Sequence, residues 1–208
     1  MTPGPQLIRE GADALEVSLT GEAADALWVL VERLLRWNRK INLVGPCDPI
    51  EAIDRHIHDG LGLLRLLDRE EVRTTTTTWT DVGAGAGLPG LVLAIARPSW
   101  RMRLVEPVGK KIAFAQDIVA ALGLDGVEVV QGRLEALEAG VAQGAMSRAT
   151  FPPHEWVERG REFVAPGGLV LVTMGGEPVD SVVDVAWRVD RFSLPISDAG
   201  RTTALVKT

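Results

Sequence analysis

The chain has 208 residues, a hydrophobic content of 46%, a formal net charge of −6 and a single cysteine, Cys47. That length and apolar share suffice for one substantial core plus a small extension, and no run approaches the roughly 18 uninterrupted apolar residues of a membrane span. The acidic balance argues against indiscriminate binding of nucleic acid by the whole surface, while a local basic face stays open, and one cysteine excludes an internal disulfide. Met1-Thr2-Pro3-Gly4-Pro5 has no basic flank followed by an apolar run, so no signal peptide is expected and the chain reads as cytoplasmic.

Residues 1–73 read as a helical extension. From Thr20, Leu27, Leu30, Val31, Leu34 and Leu35 recur at the spacing of a core-facing helix. Arg33, Arg36 and Lys40 fall on another face, with Trp37 and Arg39 among them. Such a flank is ordinarily a solvated face with Trp37 turned into the core, but it could also meet RNA phosphates, with Trp37 stacking a base. A second helix opens with Asp48 as N-cap, Pro49 at the first helical position and Glu51 closing a capping box. Its buried stripe is Ile50, Ile53, Ile57, Leu61 and Leu64, and Asp54, Arg55, His56, His58 and Asp59 point elsewhere. His56 and His58, two apart on a helix, diverge and have no Cys or His nearby, so no metal site is expected.

After the Thr-rich run 74–78 the pattern changes. Strands are expected near 77–82, 102–106, 127–131, 144–148 and 168–173, with helices near 88–97, 109–122, 134–142, 153–164 and 178–186. This alternation predicts a parallel sheet with helices on both faces. Segments 189–196 and 202–207 flank Ser197-Asp198-Ala199-Gly200-Arg201 and read as an antiparallel hairpin. Five parallel units and a closing hairpin, all within residues 74–208 as one unit, match the seven-stranded, mostly parallel sheet of a Rossmann-like class I methyltransferase.

Asp81 ends the first strand, and glycines follow at 83, 85, 87 and 90. Glycine is needed where a backbone turns sharply or approaches a ligand closely. Leu88-Pro89 then starts a helix whose amides suit a polar or anionic ligand. The segment from Gly85 to Gly90 also matches the dinucleotide fingerprint, with Glu106 placed for a ribose. Against a dehydrogenase stand the longer loop starting directly after Asp81, the lack of room for a substrate domain, and the terminal hairpin. An acid at Glu106 would bind the ribose of S-adenosylmethionine equally well. Arg133-Leu134-Glu135 follows the third strand, where an adenine edge would lie. Lys110-Lys111 at a helix start opposes the helix dipole, which favours an external role such as phosphate contact.

Taken together, Trp37-Asn38-x-x-Ile41-Asn42-Leu43, Arg55-His56-Ile57-x-Asp59, the loop 81–90, Lys110-Lys111, Arg133-Leu134-Glu135 and Ser147-Arg148-Ala149 resemble the GidB/RsmG-type methyltransferases. That family modifies N7 of a guanine in bacterial small-subunit (16S) ribosomal RNA. The resemblance implies S-adenosylmethionine as cofactor, touched by Gly83 and Leu88 within the loop of Gly85 and Gly87. It also implies Leu134 and Glu135 near the adenine, Glu106 at the ribose and Arg148 closing the site. His56, Asp59 and Arg133 would shape the pocket, and Arg201 would face RNA. The partner implied is ribosomal RNA or the small subunit, with a monomeric enzyme and neither membrane nor metal. Three positions depart from the family: Met174-Gly175 stands for Lys-Gly, Gly60 for a small hydroxyl residue, and no acid precedes Ser147. A diverged methyltransferase, or a non-catalytic RNA-binding or ribosome-assembly factor that kept the fold, is the alternative. Transfer to guanine N7 needs no general base, so catalysis would rest on alignment and on stabilising charge on the base.

Overall fold

The computed structural model describes residues 1–208. It contains one seven-stranded sheet in the order β3-β2-β1-β4-β5-β7-β6. The strands are β1 (Thr78–Val82), β2 (Arg101–Glu106), β3 (Val127–Gln131), β4 (Ala142–Ser147), β5 (Val164–Met174), β6 (Arg188–Ser193) and β7 (Gly200–Lys207). β1 to β5 run parallel. β7 enters antiparallel between β5 and β6. The order reverses at β1, between β2 and β4, and ligands of open α/β sheets bind beside such a switch point at the carboxyl ends of the strands.

The larger core lies on one face of this sheet. There α2 (Gly21–Ile41) packs against α7 (Gly90–Ala96) and α8 (Gly109–Leu122). Leu27, Leu30, Val31 and Leu34 of α2 are buried in one cluster with Trp79, Leu91 and Phe114. The opposite face carries α9 (Pro153–Phe163) and the single turn α10 (Asp180–Val183), whose Trp156, Val157 and Val182 cover Val170, Val172 and Val206. α2 starts at Thr20, whose hydroxyl accepts from the Ala23 amide at 3.2 Å. It ends at Asn42 in the left-handed region, φ 48°. Asn38 fixes that exit: its side-chain oxygen accepts from the amides of Leu43 and Val44 at 2.6 and 2.9 Å.

The helix opened by Asp48 begins as expected. The Asp48 carboxylate accepts from Ile50 and Glu51, and Glu51 accepts in return from the Asp48 amide. It then runs through α3 (Pro49–Ala52), a wider π-helical turn (Ile53–His58), α4 (Asp59–Gly62) and α5 (Leu64–Leu67). The one-turn α6 (Glu70–Arg73) follows. The wide turn rotates the later residues away from a 3.6-residue stripe. It is one reason why Asp54, His58 and Asp59 are buried rather than pointing away from the core. The other is α1 (Pro5–Ala14), a helix within the expected helical extension that the sequence reading did not place individually, which packs Gly11 directly on the His58 ring. His58 Nδ1 lies 3.3 Å from Asp54 Oδ1, and Asp54 also accepts from the amides of Ile196 and Ser197 at 3.1 and 3.0 Å. Desolvation raises the Asp54 carboxyl's pKa, but hydrogen bonds from Ser197, Ile196 and His58 outweigh it and leave the pKa lowered.

Three further expectations change. No helix fills 134–142: only the 3₁₀ turn Leu134–Ala136 forms, Gly140 turns at φ 71°, and β4 starts at Ala142. Leu134 and Leu137 pack on the smaller core while Glu135, Ala136, Glu138 and Ala139 are exposed, so two leucines are too little apolar surface to hold a nine-residue helix. The helix expected at 178–186 contracts to α10. α7 begins at Gly90 rather than Leu88. No helix is long and apolar enough to cross a membrane.

Candidate active site

The glycine loop crosses the carboxyl end of β1. Gly83, Gly85 and Gly87 adopt φ values of 68°, 60° and 78°, a region where other residues are strained. The amides of Gly83 and Ala84 donate to the Val105 carbonyl at 2.9 and 3.0 Å, pinning the loop to β2. Glu106 is buried and holds the loop from below, one oxygen accepting from the Gly85 amide at 2.9 Å and the other from Val108 at 3.0 Å. Each carboxylate oxygen keeps a further lone pair for a ligand hydroxyl. Lys111 lies 3.9 Å from this carboxylate.

Asp81, fully buried, accepts from the first amide of α7, that of Gly90, at 3.0 Å. That amide is therefore not free for a ligand. The second Asp81 oxygen has no partner. Desolvation pushes its carboxyl up to about 6, against the lowering pull of the Gly90 amide and of Arg148.

Beside the loop, a cleft of about 710 Å³ opens over the ends of β5, β6 and β7 and the start of α4. Arg148, just past β4, donates to Asp59 at 2.6 Å and to the Arg55 carbonyl at 3.3 Å. Its other terminal nitrogen lies 3.4 Å from His56 Nδ1. Arg201, second residue of β7, donates through Nε to the other oxygen of Asp59 at 2.6 Å. One carboxylate thus orients two guanidiniums. Burial first, and the Arg148 charge second, lower the His56 pKa to about 4, so this ring is neutral at pH 7 and accepts rather than donates towards Arg148.

Of the residues singled out from the sequence, His56, Asp59, Arg148 and Arg201 meet in this cleft. Arg133 does not: it is exposed beside the turn Leu134–Ala136, on the far side of the loop. Leu134 packs against the smaller core, and Glu135 pairs with Arg159 of α9 at 3.2 Å. Arg33 is tied to both oxygens of Asp117 on α8 at 2.9 Å, so it braces two helices rather than facing outward freely. Trp37 packs edge-on to Phe114, with ring centroids 5.8 Å apart. Arg36, Lys40 and Lys110 are exposed.

Gly60 has a packing reason, since a Cβ there would lie 2.9 Å from Val92. Met174 forms part of the cleft wall, and its sulfur accepts from the Val179 amide at 3.4 Å. Two contributors were not visible in the sequence. Thr150 covers Gly83 and donates to its carbonyl at 3.3 Å. Phe192 lines the cleft as the cross-strand partner of Arg201. The β6–β7 register would have revealed Phe192, but only once the turn length was known. No group of three or more His, Cys, Asp or Glu side chains is placed to hold a metal ion.

The family model described as rRNA small subunit methyltransferase G matches residues 24–188. A ribosomal RNA small subunit methyltransferase G from Anaeromyxobacter sp. (strain Fw109-5) is 37% identical, the match covering 95% of this chain and 94% of that protein. Another of the same name, from Burkholderia thailandensis, is 39% identical over 85% of this chain and 77% of its own length. Among solved structures, a methyltransferase from Geobacter sulfurreducens superposes with a TM-score of 0.56 at 17% identity, covering 86% of this chain and 89% of that one, a likeness of fold. By family model, by identity and by coverage, this chain belongs to the GidB family of small-subunit rRNA methyltransferases.

Proposed function

We propose that the chain transfers a methyl group from S-adenosylmethionine to N7 of a guanine in small-subunit ribosomal RNA. The residues present fit that cofactor. The loop turns through three left-handed glycines, and a Cβ at Gly85 would meet nothing within 4 Å, which leaves space for a ligand against the backbone. Gly83, Gly85, Gly87 and Leu88 would hold it, with Glu106 at its ribose, Leu134 and Glu135 at its adenine and Arg148 at its reacting end. When bound, S-adenosylmethionine supplies an electrophilic methyl group on a cationic sulfur.

The observation that carries the choice of N7 is the absence of a poised base in the cleft. Asp59 already accepts from two guanidiniums, and His56 is held to a pKa of about 4, too weak a base to take a proton from an amine or hydroxyl at neutral pH. Guanine N7 carries a lone pair and no proton, so the demand falls on positioning instead. Arg148 and Arg201, fixed by one carboxylate, are pre-oriented to receive the acceptor edge or phosphates of a nucleotide.

The test is transfer of radiolabelled methyl from S-adenosylmethionine to small ribosomal subunits taken from cells lacking the family's modification. Label in the RNA, mapped to guanine N7, is the expected result. Label on another atom, or in ribosomal protein, overturns the proposal.

A further inference from the structure

Two aromatic rings line the cleft, and they differ in what already covers them. Phe151 is stacked on Trp156 with centroids 5.7 Å apart, and the Arg159 guanidinium sits 5.0 Å from its centre. Phe192 stacks on no other ring and carries no cation. Its ring is seated on the backbone of Gly62, where any side chain would collide with it, and it is half-buried along the cleft wall. Its cross-strand neighbour is Arg201, whose guanidinium is directed to Asp59. A rigid aromatic ring therefore stands beside an oriented cation, inside a cleft of about 710 Å³.

We infer that Phe192 is the stacking surface for the target guanine and that it favours the base as it becomes positively charged. The inference rests on the N7 reading above. In that reaction the N7 lone pair forms the new bond to the methyl carbon while the carbon–sulfur bond breaks and its electron pair stays on sulfur. No proton leaves, so the positive charge passes from sulfur to the base. A cationic base over an aromatic ring is attracted by the ring quadrupole beyond ordinary stacking. The charge developing in the transition state is thus stabilised more than the neutral substrate, which is the condition for raising kcat rather than only lowering KM. Asp59, accepting from both Arg148 and Arg201, offsets part of the cationic repulsion this base would otherwise meet.

The probe is a pair of free nucleotides, guanosine 5′-monophosphate and its N7-methylated, cationic form, titrated into the whole protein by calorimetry. Wild type should bind the methylated nucleotide about fivefold more tightly, equivalent to about 1 kcal/mol. Phe192→Leu should bring that ratio towards one, with S-adenosylmethionine affinity unchanged, and Phe192→Tyr should keep it. Should the leucine variant fail to fold, fluorinated phenylalanines at position 192 preserve shape while draining the ring quadrupole, and the ratio should fall with each fluorine added. No preference in wild type, a preference that survives Phe192→Leu, or a flat fluorine series overturns the inference. Methyl transfer to small subunits by wild type reports separately on the N7 reading, so the two failures are distinguishable.

Discussion

His56 and Asp81 both feel the Arg148 charge and are perturbed in opposite senses, and each has a stability consequence. The folded His56 has a pKa of about 4 against an ordinary 6.5. Between those values the unfolded chain binds a proton that the folded ring refuses. The stability this ring permits is therefore complete above pH 6.5 and is lost as pH falls towards 4. Relative to wild type, His56→Gln should gain on the order of 3 kcal/mol as pH drops through that window and nothing further below it, read from urea unfolding at stepped pH. Asp81, raised to about 6, works the other way: its contribution is fullest below pH 3.8 and is lost as pH rises through 6. A His56→Gln difference curve that stays flat from pH 7 to 4 would contradict the half-buried, neutral imidazole. Arg148 touches both the His56 ring and Asp59, so Arg148→Ala should weaken S-adenosylmethionine binding and activity together, and unchanged cofactor affinity would remove it from the site.

At the scale of the element, α2 carries cations with two different jobs. Arg33 clamps α8 through Asp117, whereas Arg36 and Lys40 are exposed one and two turns on. Arg36→Ala should leave unfolding unchanged and reduce the slope of RNA affinity against salt by about one. Arg33→Ala should instead cost below ~1 kcal/mol of stability, typical for a partly exposed pair, and leave the slope alone. Equal salt slopes for both variants and wild type would return this helix to a solvated surface. Much of the element pattern was legible: the expected helix 109–122 coincides with α8, the capping box at Asp48 forms, and the glycine loop follows β1, which ends one residue later than Asp81, at Val82. What escaped did so for physical reasons. Pro5–Ala14 offers a short apolar stripe broken by Gly11, and that glycine makes sense only against His58. Periodicity assumed 3.6 residues per turn across 53–58, where the helix widens, so the burial of Asp54 and His58 was invisible. At 134–142, Leu134-Glu135-Ala136-Leu137-Glu138-Ala139 has the composition of a helix, but Leu134 and Leu137 reach the smaller core from a 3₁₀ turn, and the exposed remainder gives a longer helix nothing more to bury. Within the site, the meeting of Asp59 with Arg148 and Arg201 depends on contacts 89 and 142 residues apart, which no local pattern encodes.

Across the whole molecule, the first helix and the last hairpin are joined through one buried pair. Gly11 of α1 lies on His58, His58 meets Asp54, and Asp54 holds the amides of Ile196 and Ser197 in the β6–β7 turn beside the cleft. Asp54→Ala leaves two amides without their acceptor and should cost about 2–3 kcal/mol. Amide hydrogen exchange at Ile196 and Ser197 should accelerate well beyond that of β7. Exchange rates at those two amides equal to wild type would show that the turn is held by other contacts.

The placement of β7 has a consequence for synthesis. β6 has no hydrogen-bonded neighbour except β7, and β5 has β7 on its outer side, so the strand made later must insert between two made earlier. Arg201 arrives on that same strand. A nascent chain can collapse its glycine loop and first helices while β7 is still in the exit tunnel, but the sheet and the paired guanidiniums are completed together, after residue 207 has emerged. Completion of the cleft therefore waits for β7, and chains halted before that strand carry the glycine loop without the finished cleft beside it.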